Sequence, residues 1–288
     1  MAKSHHAQKT FAIFPNISKR QSKSIAIGIR EYLSNRNIIV TAEDDEAGLI
    51  GALPLSKCEP DAIDVLISLG GDGTILRLIQ KHPDLTAPIV GVNLGSLGFM
   101  ADVPLTEIYP TLEDLIQGKF DVQNRLMMEG LAPSNEKCLA VNEIVIHRAQ
   151  NPCIVDLAIH VDGIYLNTFS ADGIIISTPS GSTAYSLAAG GPIVSPDLDA
   201  FVITPISPHT ISNRPIVLYP QQEIQIQYLS EYDPVEISFD GFAHCMMSTG
   251  EVYHIKPAKR RCHLVQLAHH DYYATLRKKL GWTGKLRA

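Results

Sequence analysis

Two short stretches of this chain put reactive groups among small residues, and the first is Gly70-Gly71-Asp72-Gly73-Thr74. It follows the apolar run Val65 to Leu69 and precedes Ile75, Leu76 and Ile79 at helical spacing. The pattern predicts a buried parallel strand, a tight turn and a helix. Such turns stand at the carboxyl ends of strands in open α/β sheets, where ligands bind and a helix presents free N–H groups. Glycines let a backbone come close to a phosphate. A carboxylate there repels an anion unless a metal ion or a hydroxyl lies between them, which makes Asp72 the odd member of the motif. The plain structural alternative is that Asp72 caps the helix.

The second stretch runs from Ser170 to Val194, "SADGIIISTPSGSTAYSLAAGGPIV". A strand pattern, Ile174 to Ser177, breaks into a Gly/Ser/Thr-rich turn and a short helix from Ser182. Hydroxyls and free N–H groups at a helix start suit a base or a ribose, and Tyr185 can stack or hydrogen-bond. Ser180 or Ser182 acting only as caps is the structural alternative. No G-x-S-x-G is present, which argues against a hydrolase nucleophile. In "VNEIVI" the polar pair Asn142 and Glu143 interrupts an apolar strand, where adjacent residues face opposite sides. One of them can therefore point into a cleft, unless the strand is an edge with a solvated face.

The elements that must position these groups fall into two textures. "FAIFPN", "NIIVTA", "DVLISL" and "APIVGVN" read as strands, with helices over Ser18 to Leu33, after Gly73, and over Leu105 to Ile116. That order predicts an α/β domain with a doubly wound parallel sheet. From about Leu139 short β-branched runs dominate, through "RCHLVQLA", with Asp162-Gly163, Asp172-Gly173 and Asp240-Gly241 as turn signals. The expectation is an α/β domain over 1–125, a mainly-β, sandwich-like domain over 126–267, and a helical tail, 268–288, packing back on the first.

At 288 residues and 45% hydrophobic content, the chain can bury a substantial core. A net charge of −6 offers no broad basic face for nucleic acid or an anionic membrane, so a phosphate site must be local. The five cysteines are scattered, without a C-x-x-C pair, and suggest reduced thiols in a cytoplasmic protein. No apolar run approaches membrane-span length. His5 and His6 are read as part of a tail.

Taken in order, "GGDGT", "GVNLGSLGF", "VNEIVIHR", "DGIIISTPSGSTAYSLAAGGPIV" and "PHTISNRPIV" resemble the bacterial NAD kinases, across most of Asp64 to Gly241. GGDGT alone is shared with diacylglycerol kinases and 6-phosphofructokinases; the long Gly/Ser/Thr segment is the specific element. The resemblance implies phosphoryl transfer from ATP, or from inorganic polyphosphate, to the adenosine 2′-hydroxyl of NAD. It implies Mg²⁺ or another divalent ion, with ligands unassigned, and a homodimer or homotetramer. By the same resemblance Asp72 is the general base and Gly73 lies at the dinucleotide. Asn142 and Glu143 contact adenosine, Asp172 lies at the NAD site, and Thr183, Ala184, Tyr185, Ser186 and Ala188 line the pocket. Arg77, one turn into its helix, meets a phosphate or lies on a solvated face. His209 and Arg214 match the pattern with a structural role. Ser96 and Phe242 depart from it, where His or Thr and a polar residue are common. A diacylglycerol-type lipid kinase and a catalytically silent nucleotide-binding module are the alternatives; the polar character of Ser170 to Ser186 counts against the first, and the presence of Asp72 against the second.

Overall fold

In the computed structural model the described residues are 8–210, 213–220, 222–268 and 271–284, without the side chains of 243 and 244. His5 and His6 lie outside them. The chain divides into two compact units, one taking residues through Gln123 together with those from His263 onward, the other Asn124–Cys262.

The first unit is built on a parallel sheet. Its strand order is Leu53–Pro54, Ile39–Ala42, Thr10–Pro15, Val65–Gly70, Ile89–Asn93, Cys262–Gln266 and Asp121–Arg125, with Val103–Pro104 added beside Ile89–Asn93. Thr10–Pro15 and Val65–Gly70 are buried along their whole length, as strands covered on both faces must be. Phe11, Ile13, Val65, Ile67, Leu69, Val90 and Val92 pack with Ala26, Ile29 and Leu33 of the helix Ser22–Ser34 and with Leu112 and Leu115 of the helix Ile108–Gln117. From Thr10–Pro15 the chain winds outward in one direction, then returns to Val65–Gly70 on the other side and winds the opposite way. The carboxyl ends of these two neighbours therefore form the point where strand order reverses, the place where open α/β sheets hold ligands.

One sequence expectation needs correction here. The run Cys262–Gln266, assigned to the β part, instead pairs parallel with Ile89–Asn93 through Leu264 and Ile89. Its β-branched texture fits either environment, and only the sheet partner decides. The seven-residue helix Asp44–Ile50 is an element beyond those expected. The tail does form a helix, Tyr272–Leu280, capped by Asp271, which accepts the Tyr273 backbone N–H at 2.9 Å.

The second unit holds two six-stranded antiparallel sheets. One runs Ile216–Leu218, Phe201–Ile206, Gly173–Ser177, Glu143–His147, Val235–Phe239 and Phe242–Met247; the other Ile164–Ala171, Val155–Val161, Ile224–Tyr228, Val252–Pro257, Met128–Leu131 and Lys137–Ala140. Alternate residues from both meet in one core: Ile144, Ile146, Ile174, Ile176 and Ile237 from the first, Val155, Leu157, Ile159, Ile226 and Ile255 from the second. The period of two therefore sends Glu143, Val145 and His147 to the opposite face of their strand. Asp162-Gly163 and Asp240-Gly241 are turns, with φ of 50° and 78°, and of 48° and 82°. Asp172-Gly173 is not: the chain passes through Asp172 from Ile164–Ala171 in one sheet to Gly173–Ser177 in the other. A sheet switch needs the same small residue as a turn, because a Cβ at Gly173 would lie 2.4 Å from the Ile146 carbonyl oxygen.

Candidate functional site

In the first unit the turn after Val65–Gly70 is tightly specified. Thr74 accepts the Gly71 N–H on its hydroxyl at 3.3 Å and returns its own N–H to the Gly71 carbonyl at 2.9 Å. A Cβ at Gly70 would sit 2.0 Å from that hydroxyl, so only glycine fits. Gly73 is different: open space lies where its Cβ would point, and nothing inside the unit demands a glycine.

Asp72 opens the helix Asp72–Lys81, but the N-cap is Gly71, and the Asp72 side chain does not cap. Its carboxylate instead reaches a second loop. Oδ1 accepts the backbone N–H groups of Met100 at 3.0 Å and Ala101 at 2.8 Å, and Oδ2 accepts that of Phe99 at 2.8 Å. The capping alternative is thereby corrected. That loop is the "GVNLGSLGF" segment, held by Asn93, whose side chain accepts the Gly95 N–H at 2.6 Å and donates to the carbonyls of Ser96 and Ala101. Ser96 itself is exposed. The Phe99 ring meets Tyr272 at 6.1 Å, which ties the tail helix to the same loop.

At the strand-order reversal a cleft of about 310 Å³ is lined by Asn16, Ser18, Thr74, Arg77 and Lys81 together with Glu43, Asp45 and Glu46. Arg77 is exposed and has no hydrogen-bond or ion-pair partner among the described residues. Lys81 is paired with Glu43, which also binds His82. Burial raises the Glu43 carboxyl, but those two hydrogen bonds outweigh it and hold the group below its usual range. Glu46 goes the other way: burial, with Glu43 and Asp45 beside it, pushes it up to about 7.

In the second unit a cleft of about 420 Å³ gathers Glu143, Asp172 and Tyr185 with His147, Arg148, Ser238 and Gly241. Three residues singled out in the sequence thus converge although far apart along the chain. Arg148 donates to Asp172 through Nε at 2.8 Å, and its backbone N–H bonds the Asp172 carbonyl. His147 stands 3.5 Å from Glu236. Beneath the rim, the Asp240 carboxylate accepts the backbone N–H groups of Val141, Asn142 and Glu143 at 2.9, 2.7 and 3.2 Å. Asp240-Gly241 read only as a turn in the sequence; the anchoring role of its carboxylate has no local signature.

Glu143 is 7% exposed, and its Oε2 has no partner. Burial first, then the charge of Asp240, push its carboxyl up to about 8, against the pull of the Tyr185 backbone N–H.

The remaining sequence-selected residues sit around this turn. Thr183 bonds the Ser180 carbonyl at 3.1 Å, Ala184 precedes the one-turn helix Tyr185–Ala188, and Ala188 is exposed at its end. Ser186 is fully buried, its hydroxyl 2.9 Å from that of Thr204, so it supports the turn from beneath. Ser180 and Ser182 make no side-chain cap; Ser182 bonds Pro179 and Val194. Asn142 is buried, and its carbonyl accepts the Thr178 N–H at 2.8 Å. Arg214 and His209 are exposed beyond the strand Phe201–Ile206, and the Phe242 ring meets that of Phe239 at a tilt of 45°, with centroids 6.2 Å apart.

A doubly wound α/β unit with a carboxylate set among glycines, followed by a β unit with a polar cleft, defines a two-domain protein of α/β plus antiparallel β architecture. The ATP-NAD kinase N-terminal domain matches residues 11–120 and the ATP-NAD kinase C-terminal domain residues 141–267. An NAD kinase of Protochlamydia amoebophila is 61% identical over 276 residues, covering 96% of this chain and 99% of that one. One of Geotalea daltonii is 40% identical, covering 95% and 99%. Yeast NADH kinase complexed with NADH superposes with a TM-score of 0.84 at 24% identity, over 98% of this chain and 90% of that one. An Archaeoglobus fulgidus NAD kinase in complex with ATP gives 0.72 at 23%, over 96% and 100%, and both likenesses speak to the fold. The chain belongs to the NAD kinase family.

Proposed function

We propose that this chain is an NAD kinase, transferring the terminal phosphoryl group of ATP to the 2′-hydroxyl of the adenosine ribose of NAD and yielding NADP and ADP. The observation that carries the reading is the convergence of Glu143, Asp172 and Tyr185 on one polar cleft in a chain 61% identical to an NAD kinase over nearly its whole length.

In this reaction the 2′-oxygen forms a bond to the terminal phosphorus, the bridging P–O bond to the leaving ADP breaks, and the hydroxyl proton goes to a base. Little covalent work is asked of the protein; placement and charge neutralisation do most of it. Asp72 is the base in this reading. A carboxylate oxygen has two acceptor positions; those of Oδ1 are both used by Met100 and Ala101, while Oδ2 carries only the Phe99 N–H. The free position on Oδ2 is where the proton goes, and the three N–H bonds hold the carboxylate in position without reorganisation. Gly73, with open space at its Cα, admits the dinucleotide backbone. Arg77, unpaired in the switch-point cleft, meets a donor phosphate.

The NAD side is read by Asn142, Glu143, Asp172 and the turn from Thr183 to Ala188. Among the described residues no three His, Cys, Asp or Glu side chains converge on a metal cage. A divalent ion carried on the donor's phosphates, as Mg²⁺ usually is, would share one or two carboxylates; Asp45 and Glu46 line the cleft with Arg77. When bound, the ion neutralises phosphate charge. Inorganic polyphosphate is the alternative donor, since Arg77 and a glycine backbone recognise phosphate and not a base.

The assembly is a homodimer or homotetramer in the cytoplasm. Its β unit leaves Ile164, Tyr165 and Leu166 on one edge strand and Val217 and Tyr219 by another exposed, and its five cysteines are free thiols that suit a reducing compartment. No helix among the described residues is long and apolar enough to cross a membrane.

The decisive experiment measures NADP formation from NAD with ATP and Mg²⁺ using an NADP-specific dehydrogenase. Wild-type enzyme is expected to turn over, and Asp72→Asn to lose a factor of about 10²–10⁴, the usual worth of a general base. Absence of NADP with every phosphate donor overturns the reading. An Asp72→Asn enzyme that turns over in proportion to its folded fraction removes the base assignment alone.

A further inference from the structure

Glu143 and Asp240 are two carboxyl groups at one corner of the sandwich, and the chain treats them unequally. Asp240 receives three backbone N–H bonds from Val141, Asn142 and Glu143. Three such donors suit a carboxylate. Glu143 receives one, from Tyr185, and Oε2 is left buried without a partner. Two neighbouring carboxyls sharing one site rarely both ionise, and the less solvated keeps its proton. By donor count that one is Glu143. Among the described residues, the other acidic and basic side chains lining the cleft have neighbours of their own: Asp172 with Arg148, and His147 with Glu236. None of these leaves a cation to hold Glu143 ionised.

A neutral carboxyl wall in a dinucleotide cleft has a use. We propose that Glu143 meets the ligand as a carboxylic acid and donates a hydrogen bond from its carboxyl group to an acceptor nitrogen or oxygen of the bound dinucleotide. The inference rests on the NAD reading and names the protonation state in which the site works. The terminal torsion of a glutamate is broad and two-fold, so either oxygen can keep the Tyr185 N–H while the other turns to the ligand. An ionised Glu143 would offer only acceptors and could make no hydrogen bond to an acceptor atom of the ligand. The burial and the Asp240 charge that push the group up to about 8 put it in the neutral form at pH 7 and make the effect visible in an accessible range.

Only the protonated form donates, so NAD affinity is constant below about pH 8 and falls as the pH rises beyond it. If the ionised form does not bind, the fall approaches tenfold per pH unit, and binding above that pH takes up a proton.

The test is calorimetric titration of NAD into the full-length protein, without donor, from pH 6 to 9.5. NAD has no group that titrates near neutrality or above it. The wild-type dissociation constant is expected to rise with pH above 8, and at pH 8.5 buffers of different ionisation enthalpy should report net proton uptake. Glu143→Gln, which donates at every pH, should lose both the slope and the uptake. A flat wild-type profile with no uptake overturns the inference and leaves the kinase reading standing, as does a Glu143→Gln profile with the wild-type slope. Failure of NAD to bind at any pH overturns the kinase reading and this inference with it. Where Glu143→Gln does not fold, proton uptake by the wild-type protein decides.

Discussion

Gly98 and Asp72 are built against each other: a Cβ on Gly98 would lie 2.0 Å from Oδ1 of Asp72. The missing side chain is what lets the carboxylate slide under the loop and collect the N–H groups of Phe99, Met100 and Ala101. Gly98→Ala is therefore expected to push Asp72 out of its seat and leave buried donors unpaired, at a cost of about 1–3 kcal/mol in stability. Because the same carboxylate is the proposed base, turnover should fall well beyond the folded-fraction loss, with NAD affinity retained. Urea denaturation and steady-state kinetics on one preparation check this. A stable Gly98→Ala variant with normal turnover would show that the seat of Asp72 does not matter.

Asn142 separates recognition from folding. Its backbone N–H is held by Asp240 and its carbonyl by Thr178, so the sheet keeps its local bonds when the side chain is removed. Asn142→Ala should weaken NAD binding by about 1–3 kcal/mol, one or two hydrogen bonds' worth, with a nearly unchanged melting temperature. An unaltered KM for NAD would take Asn142 out of the site.

The switch-point cleft carries its own pH signature. Glu46, pushed up to about 7 by burial and by Glu43 and Asp45, holds its proton more tightly folded than unfolded. Its contribution to stability is thus fully present below the unfolded carboxyl range and is lost as pH rises through about 7. Glu46→Gln removes that loss, so the variant should gain stability relative to wild type between pH 5 and pH 8. Paired urea midpoints at the two pH values test it; a constant difference would place Glu46 in ordinary solvent.

The exposed apolar edge of the β unit predicts association. Ile164 is 74% exposed on an edge strand, beside Tyr165 at 57%. An unpaired strand edge with apolar side chains invites pairing with a second copy. Sedimentation should find a dimer or tetramer, and Ile164→Lys with Tyr165→Lys should shift it toward monomer. A wild-type monomer with full activity would contradict the proposed assembly.

Much of this was legible in the sequence, for reasons that are local. The apolar run into GGDGT specifies strand, turn and helix because burial on both faces, glycine and helical spacing act within sixteen residues. The alternation in Glu143–His147 likewise fixes that Ile144 and Ile146 go to one side and Glu143 to the other. What the sequence could not carry were relations between distant segments. Cys262–Gln266 has the same β-branched texture whether it joins a sandwich or a parallel sheet, and its partner Ile89 decides. Asp72 reads locally as a cap or as a carboxylate facing a metal ion or a hydroxyl, yet its hydrogen bonds come from residues nearly thirty positions away. Asp240 looks like a turn residue until the strand start at Val141 delivers three N–H groups to it. The ionisation of Glu143 depends in turn on that neighbour and on burial by the whole sandwich. Sequence periodicity records which face a residue takes; the partners that set a carboxylate's hydrogen bonds and charge exist only once the chain has closed around it.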